Sequence, residues 1–253
     1  IKETLRRKDE FPTFEPFAVQ YVAPDGTKKF KEYDERDAKI ADKVSEQFEE
    51  RKENLPIPDQ RIPEGMAMTT GALRNYNYEY WNDLFTDRHL LTFGLLFKKA
   101  WKVREREFDD ADSQNIAEFL LTAISNNLEY NGKLVKWNPR YSISGHVFER
   151  HAFIPRVQPI EGNPINSENN SNSLQNFYDK VVEAKNYCQN PFEKIKNPVT
   201  GDVEQFYITG ESISESRVAG LHCKTSERLE QGDESVDYVI TDPPYYDNVQ
   251  YSK

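Results

Sequence analysis

An α/β fold with a helix-rich N-terminal portion is the expectation for this chain, and three observations carry it. Apolar residues recur at helical spacing through three segments between residues 87 and 188. Short β-rich runs replace them further on, at Gln205–Ile208, Arg217–His222 and Val236–Thr241. The last of these runs straight into Asp-Pro-Pro-Tyr, and functional loops of open α/β sheets sit at the carboxyl ends of strands.

The elements follow in order. Residues 17–33 predict a hairpin: Phe17–Val22 is β-prone, Pro24-Asp25-Gly26 is a turn signal, and Lys28–Tyr33 alternates. Residues 34–53 predict a charged surface helix, with Ala41, Val44 and Phe48 as a narrow apolar stripe. Prolines forbid helix from Leu55 to Pro63, so that stretch is an extended connector. Thr86 is an N-cap candidate, with Asp87 in the first turn of a helix reaching about Arg106. Leu90, Leu91, Phe97 and Trp101 are its expected buried side. A second helix spans about Ser113 to Leu128, with Ile116, Phe119, Leu120, Ala123 and Ile124 on its apolar face. Residues 162–173 are low in complexity and predict a loop. A third helix, about Leu174 to Cys188, has apolar residues at 174, 177, 181, 184 and 188. The pattern divides the chain into three regions. Residues 1–63 hold the hairpin, surface helix and connector, 64–190 are helix-rich, and 191–253 are a partial α/β sheet.

Composition narrows the class. The 253 residues suffice for one large domain or two small ones. The mean hydropathy of −0.84 is polar, yet 13% aromatic residues can fill a core. No run of eighteen apolar residues exists, so no membrane span is expected. Two scattered cysteines, Cys188 and Cys223, make neither a disulfide framework nor a zinc ribbon, and a reducing, cytoplasmic setting is the default. A net charge of −10 argues against wrapping DNA with the whole surface, while leaving room for a local basic groove.

One motif carries chemistry. The apolar run ends in Asp242-Pro243-Pro244-Tyr245. An exocyclic amine on adenine or cytosine is a poor nucleophile, because its lone pair is delocalised into the ring. A carboxylate and a carbonyl that accept both amino hydrogens favour the tetrahedral nitrogen and stabilise its developing positive charge. Asp242 supplies the carboxylate and the Pro243 carbonyl the second acceptor. The two prolines stiffen the loop and remove two competing N–H donors. Tyr245 can stack on a base swung out of the helix, or lie near a sulfonium cation. The plainer alternative is a turn that ends a strand, with Tyr245 as a packing residue. Similar loops also serve RNA bases and glutamine amides.

The stretch Ser235–Ser252, and above all Tyr246-Asp247-Asn248-Val249, resembles motif IV of large adenine-specific DNA methylases that carry a zinc-ribbon insert. Trp81-Asn82-Asp83-Leu84-Phe85-Thr86-Asp87-Arg88-His89-Leu90-Leu91 is similar to a second conserved piece of that family, with His89 where Gln is usual and Asp87 where Pro is common. Leu134–Pro139 is similar to its Arg-Trp-Asp segment. The resemblance covers most of residues 55–252. It implies part of a Rossmann-like S-adenosylmethionine-dependent methyltransferase sheet, and methylation of DNA at adenine N6 in restriction-modification or phage defence. Asp242, Pro243, Pro244 and Tyr245 are then catalytic. Thr86, at a helix start similar to motif X, Thr225 and Asp242 are cofactor-binding, although an ordinary N-cap accounts equally for Thr86. Thr225 stands near the place where the family often has an Asp for the adenosine. The partners implied are DNA with a flipped base, other subunits of a defence complex, or an upstream segment. This chain has no Gly-x-Gly, the turn that lets backbone approach the cofactor. The expectation is therefore an internal, incomplete segment of a longer enzyme. A non-catalytic assembly or DNA-docking module, or an RNA-base methyltransferase, are the alternatives.

No metal site is expected. His146 and His151 flank Glu149 and Arg150, which is not a ligand spacing, and no cysteine pair completes a set. Arg140, Arg150, His151 and Arg156 lie near Tyr141, Phe148 and Phe153. Packing plus surface charge is the simpler account of that cluster, and nucleic-acid binding is the alternative.

Overall fold

The computed structural model describes residues 14–63, 73–105, 111–148, 153–156, 158–165, 170–208, 227 and 231–242. Helices alternate with three two-stranded antiparallel sheets. One unit ends at Val181 and a second spans Val182–Ser252.

In the first unit, β1 (Ala18–Val22) and β2 (Lys28–Glu32) form the expected hairpin. Asp25 Oδ1 accepts from the Thr27 backbone N–H at 3.0 Å, and Gly26 takes the positive φ of 77° that the turn requires. Helix α1 (Glu35–Arg51) starts in a capping box: Asp34 Oδ1 accepts from Asp37 N at 3.0 Å, and Asp37 Oδ2 accepts from Asp34 N at 3.2 Å. Of its stripe only Phe48 is fully buried. The connector 55–63 is extended, tied to the following segment by a bridge between Arg61 and Tyr80.

Helices α2 (Asp87–Glu105) and α3 (Ala111–Glu129) pack on each other through Phe93, Ala100 and Ile124. The expected faces hold in part: Leu91, Ala123 and Ile124 are buried, Leu90, Phe97 and Leu120 pack partly buried against the core, and three residues turn outward. Trp101 is 50% exposed under the Arg104 guanidinium, and Ile116 and Phe119 also face outward. His89, Phe93 and Ala100 fill the inner face of α2; Ala117, Ile124 and Asn127 fill that of α3. The connector residues Leu55 and Ile57 lie against Gly94 of α2.

The main core is built from loops and turns. Ile62, Leu73, Tyr78, Leu84, Phe85, Leu134, Val135, Val147 and Phe153 form one buried cluster. The short pair β3 (Trp137–Asn138) and β4 (Ile143–Ser144), absent from the sequence expectation, closes one side.

Helix α4 (Leu174–Gln189) begins in the first unit, where Phe177 is buried. In the second unit, β5 (Phe192–Lys196) and β6 (Val203–Tyr207) form a hairpin whose turn is held by Asn197 Oδ1, which accepts from Val199 N at 2.9 Å. The run expected as a strand of an α/β sheet at Gln205–Ile208 is a strand in part, as the second arm of an antiparallel hairpin. Val236–Thr241, also expected as a strand, makes no ladder. Val239 is 76% and Ile240 96% exposed. Arg217–His222 lies outside the described residues. Among the described residues no parallel pair exists, so the coarse mixture of helix and strand holds while the Rossmann-like arrangement is not seen. The physical reason is that a strand exists only with a partner, and a periodic apolar run does not supply one.

Candidate functional site

The segment similar to motif X is wired into the core. Asp83 Oδ2 accepts from the backbone N–H groups of Glu79 and Tyr80, at 2.8 and 2.7 Å. This closes a turn of 3-10 helix, Trp81–Leu84. Lys133 grips the turn from the other side, its backbone N–H donating to Leu84 O at 2.7 Å and its ammonium to Asp83 O at 3.0 Å. Burial holds the Lys133 amine below its ordinary range, and nearby Asp83, Asp87 and Glu161 offset part of that effect. Burial, with Asp83 adding to it, pushes the Tyr78 phenol up to about 12.

Thr86 sits at the helix start that the sequence predicts. Its carbonyl accepts from Leu90 N at 2.9 Å and its Oγ1 from His89 N at 3.3 Å. It is half-buried. The polar atoms of Asp83 and Thr86 are thus engaged by backbone amides of their own segment. They hold a turn and a helix start.

His89, where the resembling family usually has Gln, is fully buried. Its Nε2–H donates to Gly162 O at 3.2 Å, while Nδ1 is buried without a partner. That pattern fits a neutral ring, and burial accordingly holds its pKa below the ordinary histidine range, against the opposing pull of Glu161. Around it runs a buried amide network. Asn131 Nδ2 donates to Asn127 O at 2.7 Å, Asn127 Nδ2 to Asn172 O at 2.6 Å, and Asn172 Nδ2 to Ser144 O at 2.6 Å. The network stitches α3 to β4 and to the end of the low-complexity loop.

Asp242 lies in the second unit and is exposed at the end of the exposed apolar stretch. Pro243, Pro244, Tyr245 and Thr225 lie outside the described residues. Thr86 belongs to the first unit.

Two features escape sequence reasoning. Glu129, His146 and Tyr130 form a chain: His146 Nδ1–H donates to Glu129 Oε1 at 2.8 Å, and the Tyr130 hydroxyl meets His146 Nε2 at 3.2 Å. Burial, then the Glu129 charge, holds the Tyr130 phenol above its ordinary value. With Val147 N donating to Glu129 O at 2.8 Å, this clips the end of α3 to the segment after β4. Sequence spacing pairs His146 with His151, whereas the fold pairs it with residues 16 and 17 positions earlier. The second feature is a cleft of about 490 Å³ between β2, the β3–β4 turn and the start of α4.

Comparison with known proteins found no matching family model, no matching curated protein and no matching solved structure. Among the described residues, no helix is long and apolar enough to cross a membrane.

Proposed function

We propose that this chain carries the catalytic loop of an S-adenosylmethionine-dependent DNA amino-methyltransferase acting at adenine N6, within a Rossmann-like sheet. The observation that supports the reading is the tetrapeptide Asp242-Pro243-Pro244-Tyr245 placed directly after an apolar run, with Asp242 exposed. The Asp242 carboxylate and the Pro243 carbonyl accept the two amino hydrogens of an extruded base. Pro244 keeps the loop stiff, and Tyr245 stacks on the ring. The resemblance adds restriction-modification or phage defence as the setting.

The test is transfer of a labelled methyl group from S-adenosylmethionine to unmethylated DNA and to RNA, side by side. Asp242→Ala should lower the rate by roughly 10²–10³-fold, the scale of losing one preorganised polar group at a developing charge. Its melting temperature should not change, because the side chain is exposed. Full activity in that variant overturns the assignment, and transfer to RNA alone moves the substrate.

A second reading is favoured by the exposure of Val236–Ile240, a run that makes no ladder among the described residues. On that reading the chain is a non-catalytic assembly or DNA-docking module. Unchanged host-protein function in Asp242→Ala, with DNA binding retained, is its expected result.

A further inference from the structure

The cleft in the first unit has no part in the catalytic loop, and its walls are of unequal chemistry. One wall is the β3–β4 turn. Asn138 Oδ1 accepts from the backbone N–H groups of Arg140 and Tyr141, at 3.1 and 3.4 Å, and Ser142 takes the left-handed φ of 50°. The turn therefore holds Tyr141 outward, 59% exposed at the rim of the cleft, with the Arg140 guanidinium 5.4 Å from its ring centre. Lys28, from β2, ties in here: its ammonium donates to Ser142 O at 3.0 Å. Burial holds the Lys28 amine below its ordinary range, as a lysine drawn into a cleft wall should be.

The other wall is polar. Ser171, Gln175, Asn176 and Asp179 line it, the last three on the first turns of α4. Gln175 Nε2 donates to Asp179 Oδ1 at 2.8 Å, and Asn176 Nδ2 donates to Ser171 O, so these side chains are set in place rather than free to collapse. The volume, about 490 Å³, falls within the range of roughly 300–1,000 Å³ usual for small-ligand clefts.

We propose that this cleft seats one unpaired nucleotide of a nucleic-acid strand, the base stacked on Tyr141 and edged by Gln175, Asn176 and Asp179, with Lys28 and Arg140 on its phosphates. An exposed aromatic with an arginine over it is a stacking platform, amides and a carboxylate match the exocyclic amines and ring nitrogens of a base, and two cations match the backbone. A paired base is excluded, since its faces are covered by neighbouring bases. The net charge of −10 makes the contact local and salt-sensitive. The choice of a nucleic acid as occupant rests on the methyltransferase reading; the cleft and its chemistry do not.

The probe is a short fluorescein-labelled single strand of mixed sequence, as DNA and as RNA, followed by anisotropy against the full chain at low salt. Tyr141→Ala should weaken binding at least about fivefold and Tyr141→Phe should restore it, because stacking needs only the ring. Arg140→Ala should weaken binding and flatten its dependence on salt. Both side chains are exposed, so melting temperatures should match the parent. Equal affinity of Tyr141→Ala and the parent, or no binding by the parent, overturns the proposal. The DNA and RNA arms identify the strand, and tighter binding of either keeps the site. Asp242→Ala separates the two ideas: it should lower methyl transfer by roughly 10²–10³-fold and leave this binding unchanged. Methyl transfer that fails while Tyr141-dependent binding persists sinks the enzyme and spares the cleft.

Discussion

At Gly162 the absence of a side chain is a packing requirement. A Cβ there would stand 2.4 Å from Asn131 Oδ1, and Asn131 is itself buried and bonded to Asn127 O. Gly162→Ala should therefore cost about 1–3 kcal/mol by overpacking, read as a lower melting temperature. An unchanged melting temperature would mean that the amide network is not fixed. The neighbouring His89 makes a pH-dependent contribution whose sign follows from its burial. Its folded pKa is depressed, so below about 6.5 the unfolded chain binds the extra proton and folding stability falls as pH drops from there toward the folded pKa. His89→Gln keeps a donor for Gly162 O and cannot titrate. Its melting temperature should fall less than the parent's between pH 7 and pH 5, and parallel curves would refute a neutral buried ring.

Packing at the level of elements turns on Gly94. Leu55 Cβ and Ile57 Cδ1 each lie 3.1 Å from where its Cβ would be, so the proline-fixed connector rests directly on α2. Gly94→Val should destabilise by about 1–3 kcal/mol, since a branched side chain must push the connector away. A neutral result in chemical denaturation would show that the connector is not seated there. Helix α1 is held differently, by its capping box. Asp34→Ala should lower the melting temperature, and the cap should weaken on acidification as well. Hydrogen bonds from the Asp37 backbone, then from Lys31, hold the Asp34 carboxyl below its ordinary value. That contribution is present above the unfolded pKa of about 3.8 and is lost as pH falls through the lower folded value.

Over the whole molecule the apolar burial is uneven. Among the described residues, the buried hydrophobic side chains all lie in the first unit. In the second unit Ile195, Val203, Tyr207, Tyr238, Val239 and Ile240 are each at least half exposed. Hydrogen exchange should reflect this. Amides of α3 from Ala117 to Asn127 should be strongly protected, those of β5 and β6 weakly, and those of 236–242 hardly at all. Protection of Val236–Thr241 to the level of α3 would mean that the run finds a sheet partner, and would strengthen the methyltransferase reading over the docking-module one.

Local chemistry was enough to determine several elements. Thr86 marks a helix start, Ala41, Val44 and Phe48 mark a helical stripe, Pro24-Asp25-Gly26 marks a turn, the prolines of 56–63 forbid helix, and residues at 174, 177 and 181 share one helical face. Each depends on neighbours a few positions away, so a linear string suffices to read it. The chemistry proposed for Asp242–Tyr245 is likewise argued from residue type and spacing, and its test is methyl transfer by Asp242→Ala. What needed tertiary structure depends on distant partners. Which residues of the expected faces end outside, as Trp101, Ile116 and Phe119 do, depends on what packs against α2 and α3. Whether an apolar run becomes a strand was decided by what lies beside it: β6 found β5, antiparallel, and Val236–Thr241 found no ladder. The meeting of Glu129 with His146, and of Lys28 with Ser142, joins residues 17 and 114 positions apart. Side-chain periodicity carries no record of such distances, because it reports which face is apolar and never what the face will meet.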